Sequence, residues 1–398
     1  MFVEFHLLQS FVPSNLNRDD NGYPKSGVFG GARRARISSQ CIKRAIRTSD
    51  VFKSEIPTGD GGTRTRRMME LFQPRLNKAG KKEAEIEVVV KAFTTAYAGL
   101  DDKNKDLSSV LVYLSREDID AMTNAMLENW QAILESVPEK DGKRQYSKDA
   151  FKKEKHPIHV AIKALEAQTA QRSSAPDIAL FGRMLADNPK FALDAACVVA
   201  NATSTHAVQE MEVDYFTAMD DELPKGEQGA GQINLTGFNS ACYYRYASID
   251  REQLKLNLRG QGLTDADKDV LRGTVSGFMR GLTEVVPSGM KNRFGQHNPP
   301  DFALAVVRTS GPGWSLANAF ESPVNVETGL MPRSVSKLDK YWNDLTRAYG
   351  SQSVKRAVFC LVNSDLEAQV KHLSDKVSSF EEWRATVLAA LDEGDANA

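Results

Sequence analysis

Between about residues 55 and 185 the apolar side chains of this chain recur at helical spacing, whereas the stretches on either side alternate at a spacing of two. KEAEIEVVVKAFTTAYAGL and IDAMTNAMLENWQAILESV carry the helical period. Residues 2–12 set Val3, Phe5 and Leu7 against Glu4, His6 and Ser10, which predicts a half-buried strand. FNSACYYRYASI, with Cys242, Tyr244 and Tyr246 on one face, and FALAVVRTS predict two more strands, with a helix over about 265–283 between them. Ser38 or Ser39 is placed to N-cap a helix over about Gln40–Thr48, with Ile42, Ala45 and Ile46 as its apolar stripe. The order strand, helix, helical insert, strand, helix, strand predicts an interrupted βαββαβ unit, an α+β fold of RRM or ferredoxin-like type.

The expected divisions are 1–55, then a helical insertion at 56–188. A β-leaning and loop-like stretch follows at 189–237, with a flexible loop or hairpin tip at Pro224–Gly231. The remainder, 238–398, ends in an acidic tail, DEGDANA, expected to be disordered. Four scattered cysteines, none in a C-x-x-C pair, argue against a zinc ribbon and fit a reducing, cytoplasmic setting. No apolar run approaches a membrane span, and MFVEFHLLQSF reads as a strand rather than a signal peptide.

The formal net charge is -1, which by itself does not suggest a nucleic-acid binder. The distribution does. Between Asp20 and Asp50 there is no acid, and Lys25, Arg33, Arg34, Arg36, Lys43, Arg44 and Arg47 all lie there. Cations of one sign repel unless an anion is usually present. Gly27, Gly30 and Gly31 allow close backbone approach, and the following helix start offers N–H groups to a phosphate. The competing reading is a solvated basic face. Lys291 and Arg293 form a second basic loop, for which a surface turn is by itself the favoured reading. A third set, Lys140, Lys143, Arg144, Lys148, Lys152, Lys153 and Lys155, is interrupted by acids and reads as solvated charge.

Signs of catalysis are sparse. No phosphate-binding P-loop, nucleophile elbow or zinc-protease motif occurs. Asp19 and Asp20 are paired acids of the kind a two-metal nuclease needs, but Asx-turn chemistry or a salt bridge to the nearby arginines is the commoner role of such a pair. Asp214, Asp220 and Asp221 sit beside Tyr215 and Phe216, as in a packing or interface segment. Tyr243, Tyr244 and Tyr246 have the composition of an RNA-stacking platform without its full signature, so core and rim packing is the expectation for Tyr244 and Tyr246.

The runs SNLNRDD (14–20) and FGGARRARISSQCIKRAIR (29–47) resemble the CasC family, the backbone subunit of the type I-E CRISPR Cascade complex. GRM (182–184), THAV (205–208), VDYFTAMDD (213–221), YYRYASI (243–249), LANAFE (316–321) and YW (341–342) continue the resemblance in order. It implies a hand-shaped subunit with an RRM-like palm, helical fingers and a β-hairpin-like thumb at about 190–237. Several copies would stack head to tail along one guide RNA, each thumb folding over RNA held by the next palm and displacing a nucleotide. The guide would then be presented to target DNA, alongside other Cascade subunits. The resemblance implies RNA contacts at Asn17, Arg18, Arg33, Arg34, Arg36, Ser38, Gln40, Lys43 and Arg47. It implies a wedge near the displaced nucleotide at Met184 and a basic loop near the RNA at Lys291 and Arg293. It implies neither cofactor nor catalytic activity. Related type III backbones that cleave RNA with a metal leave Asp19 or Asp20 as the alternative. The cluster at 25–47 set against acids at 210–227 would suit complementary faces of a head-to-tail polymer.

Overall fold

A computed structural model describes residues 1–57, 61–169, 172–185, 188–208, 212–217, 233–259, 264–327 and 329–393. The expected flexible loop or hairpin tip at Pro224–Gly231, Asp220, Asp221 and residues 394–398 of the acidic tail lie outside the described residues, whereas Asp392, expected in that tail, ends the helix Phe380–Asp392. The chain forms two compact units. One comprises Met1–Phe52, Val198–Arg251 and Val275–Ala398; the other comprises Lys53–Cys197 and Glu252–Thr274.

The first unit is built on a ten-stranded sheet. Its strands are β1 (Phe2–Ser14), β2 (Ser26–Phe29) and β3 (Ala32–Ile37), then, beyond four short strands of the second unit (β4 Thr63–Thr65, β5 Val112–Leu114, β6 Glu139–Lys140, β7 Lys143–Arg144), β8 (Cys197–Val199), β9 (Ala202–Ser204), β10 (Glu212–Thr217), β11 (Ile233–Asp250), β12 (Phe302–Arg308), β13 (Val354–Leu361) and β14 (Asp375–Val377). The order is β14-β13-β12-β1-β11-β9-β3-β2, with β8 and β10 also pairing with β11. β1 is antiparallel to both β12 and β11, and β11 is antiparallel to β9. Only the outer β13–β14 pair is parallel among the registers described.

β1 departs from the half-buried strand its alternation suggests. Glu4 and His6 are as fully buried as Val3, Phe5 and Leu7. The reason is position: β1 lies in the middle of the sheet, and helices cover both faces. On one face Phe5 packs against Phe278 and Trp383, at ring separations of 6.0 and 5.9 Å. On the other, Leu8, Tyr244, Leu304 and Val306 pack with Val335, Leu338 and Trp342 of the helix Leu330–Tyr349. The polar side chains turned that way find partners. Glu4 Oε2 accepts from Arg308 Nε at 3.0 Å, and His6 Nδ1 lies 2.9 Å from the Tyr244 hydroxyl, which accepts from Leu316 N at 2.8 Å. Burial, assisted by Arg308, pushes the His6 pKa down to about 3. Tyr243 is buried too, edge-on to Phe11. Tyr243 and Tyr244 are therefore packed into the unit and cannot stack on bases, and Tyr246 is half-buried against the same core.

α1 (Ser39–Thr48) forms as its pattern predicts, with Ile42 and Ile46 buried. Gly281 lies so close to Ile46 that an added Cβ would meet it at 2.6 Å. The second unit is mainly helical. Met68–Lys78, Glu83–Ala98, Arg116–Glu128 and Pro157–Thr169 share a core of Phe72, Val89, Phe93, Met122, Met126 and Ile158. Ser115 and Asp118 form a full capping box at the start of Arg116–Glu128. The helix Arg251–Arg259 had no counterpart in the sequence expectation. The 285–300 loop contains one helical turn, Lys291–Phe294, entered through Met290 at a φ of 51°.

Candidate nucleic-acid interface

The loop after β1 is shaped from within. Asn15, fully buried, donates through Nδ2 to Gly22 O at 2.9 Å and Gly237 O at 2.8 Å. Asp19 closes the turn: its Oδ1 accepts from Asn21 N and Tyr23 N, both at 2.9 Å. This is the Asx-turn role. Asn17 Oδ1 accepts from Ser38 N at 2.8 Å, and Ser38 Oγ accepts from Cys41 N at 3.3 Å as the N-cap of α1. The Ser39 N–H goes to Asn201 Oδ1 at 3.0 Å. The helix start expected to bind phosphate thus has its Ser39 and Cys41 N–H groups taken by side chains.

Cations from three segments meet over this loop. An open cleft of about 780 Å³ is bordered by Asn17, Arg18, Asp20, Arg44 and Lys291, with Cys41 in its wall. Arg18, Arg44 and Lys291 are exposed. Burial raises the pKa of the Cys41 thiol against the opposing pull of Arg44 and Lys25, so both cations act on this wall. Gln40 is exposed on α1; Lys43 and Arg47 are half-buried on it.

The β2–β3 hairpin carries the remaining arginines and divides them. Arg33 is exposed and donates to Ser26 Oγ at 2.9 Å. Arg36 is half-buried, and its Nε has no hydrogen-bond partner among the described residues. Arg34 is a correction to the sequence reading. It is 1 % exposed, and its guanidinium donates to Ser204 O at 3.0 Å, Phe320 O at 2.8 Å and Glu321 O at 2.9 Å. It clamps the hairpin to the 317–321 turn and has no surface to offer RNA. Gly30 is corrected likewise. At a φ of 57°, a Cβ there would lie 1.8 Å from Glu321 O, so this glycine serves an approach within the chain rather than to a ligand.

Arg293 is braced: Nη2 pairs with Asp214 Oδ2 at 3.0 Å and Nη1 donates to Thr236 Oγ1 at 3.2 Å. It ties the 291–294 turn to the β10–β11 ladder, helped by Phe294 against Phe238 at 5.9 Å. Met184 belongs to the second unit and is 84 % exposed, so it is not core. Sequence reasoning missed Asn15 and Asn201, each of which has a partner more than 150 residues away. It also missed Asp118 and Arg183, an ion pair at 2.8 Å with side chains 3 % and 2 % exposed. The S-x-x-D spacing at Ser115–Asp118 was the available signal for one half of it. Among the described residues no three His, Cys, Asp or Glu side chains group as a metal site, and no helix is long and apolar enough to cross a membrane.

The α+β fold with its large sheet is similar to solved structures. Two similar chains come from structures described as a CRISPR RNA-guided surveillance complex. One, in a pre-nicking state, has a TM-score of 0.80 at 28 % identity, over 98 % of this chain and 100 % of that one. The other has a TM-score of 0.71 at 25 % identity, with the same coverage. The family of CT1975-like proteins, Cas_CT1975, matches residues 3–385, and the chain belongs to that family, a CasC-type backbone protein. No curated protein matches.

Proposed function

We propose that this chain is a non-catalytic, guide-RNA-binding backbone subunit of a type I-E surveillance complex, polymerising head to tail and presenting the guide to target DNA in the cytoplasm. The observation that carries the reading is the convergence of Arg18, Arg44 and Lys291, from three separate segments, on one open cleft. Contacts from Arg and Lys to phosphates position a nucleic acid and carry no base preference. That is what a subunit needs when base pairing supplies specificity. The order β12-β1-β11-β9, with antiparallel neighbours throughout, is that of a βαββαβ unit and supports an RRM-like palm. The helical unit is read as fingers and the β10–β11 ladder as the base of a thumb. An exposed Met184 supports a wedge beside a displaced nucleotide, since apolar side chains separate stacked bases. Of the acids at 210–227 invoked for a complementary face, only Glu212 and Asp214 are among the described residues, and Asp214 pairs with Arg293.

Purification of the chain with the other subunits of its complex tests the reading. The expected result is a bound RNA of uniform length; its absence overturns the proposal. The same complex incubated with complementary RNA and magnesium should leave that RNA intact. Cleavage abolished by Asp20→Ala would replace the scaffold reading with a nuclease one.

A further inference from the structure

Met184 is the most exposed large apolar side chain among the described residues, yet its neighbours Arg183 and Leu185 are 5 % and 3 % exposed. The backbone on its N-terminal side is fixed. Gly182 has a φ of 79°, and a Cβ there would lie 2.8 Å from Leu193 O and 2.9 Å from Ala195 N. Arg183 N donates to Leu193 O at 2.9 Å, and Leu193 N returns a bond to Arg183 O at 2.7 Å. The Arg183 guanidinium then reaches inward. Nε donates to Phe191 O and Nη1 to Asp118 Oδ2, both at 2.8 Å. The same Asp118 oxygen accepts from Ser115 N and Ser115 Oγ, each at 2.8 Å.

We infer that Asp118 and Arg183 are positioning residues for Met184, fixing its backbone to the first turn of helix Arg116–Glu128 so that its side chain can be driven between stacked RNA bases. The inference rests on the wedge reading of Met184 proposed above. Unstacking opposes the insertion, so a wedge on a yielding loop would be pushed aside before the bases parted. A buried ion pair is a poor source of stability compared with apolar packing of similar volume, but it holds one geometry. Here that geometry leaves a single apolar side chain outward between two inward ones.

The test uses the full complex assembled on guides carrying 2-aminopurine at successive positions, whose fluorescence rises where a base is unstacked. The wild type should give distinct maxima. Met184→Ala should flatten them, Met184→Leu should keep them, and Asp118→Asn should lower them by at least about twofold although Met184 is still present. If Met184→Ala leaves the maxima intact, the wedge reading itself fails, and this inference with it. If Met184→Ala flattens them but Asp118→Asn leaves them at full height, the positioning role alone is overturned. Should Asp118→Asn not fold, the paired replacement Asp118→Leu with Arg183→Met removes both charges at once and leaves neither unpaired. In the RNA-free chain with labelled methionine methyl groups, that pair should shift and sharpen the Met184 resonance. An unmoved resonance overturns the inference.

Discussion

Arg33 and Arg34 are adjacent and chemically identical, and the strand turns them to opposite faces. One is solvated; the other is enclosed by the carbonyls of Ser204, Phe320 and Glu321. Arg34→Ala should therefore lower stability by about 3 kcal/mol or more in denaturant unfolding, because several buried carbonyls lose their donor. Arg33→Ala should stay within about 0.5 kcal/mol of wild type. Equal losses in the two variants would contradict the assignment. The stretch that ends in ARRARI is rich in Gly, Asn, Asp and Pro and reads as a loop without a regular period, so the strand was not foreseen, and which of its faces is covered depends on a turn some 286 residues away. His6 gives a second prediction at this scale. Its pKa of about 3 lies below the unfolded value, so the native state holds it neutral while the unfolded chain takes up a proton. Stability contributed by neutral His6 is present above about pH 6.5 and is lost as pH falls towards 3, by up to about 1.4 kcal/mol per pH unit. Melting between pH 6.5 and 5 should show this slope, and His6→Gln should flatten it. His206, likewise lowered by burial and by Arg34, acts in the same direction.

At the scale of elements, those with local instructions were readable and those completed from afar were not. α1 could be anticipated because its cap, its stripe and its basic face all lie within eleven residues, and Ser38→Ala should cost it about 1 kcal/mol. β1 looked half-buried because Glu4 and His6 alternate with apolar residues. Their burial depends on Arg308 and Tyr244, which sit on other strands. The β2–β3 hairpin was not legible: its Gly- and Pro-rich sequence reads as an irregular loop, and neither its two strands nor the purpose of Gly30 could be foreseen. Gly30→Ala should destabilise by more than about 1 kcal/mol, since it combines a left-handed φ with a backbone clash at Glu321. Gly31→Ala meets no atom within 4 Å and should pay only the conformational cost. A thermal melt of the two variants distinguishes them.

For the whole molecule, the charge sum of -1 concealed the feature that matters, a set of exposed cations gathered on one cleft of one unit. The sequence run at 14–47 identified most of that set, because those residues are close in the chain. Lys291 reaches the cleft only through the fold. The cleft residues are expected to act on the guide's phosphates rather than its bases. The direct measurement is the salt dependence of guide-RNA binding for the wild type, Arg18→Ala and Arg44→Ala, on two guides of unrelated sequence. Each variant should reduce the slope of log K against log salt by about 0.7, equally for both guides. A slope that stays at the wild-type value, or a loss confined to one guide sequence, would contradict backbone recognition at this cleft.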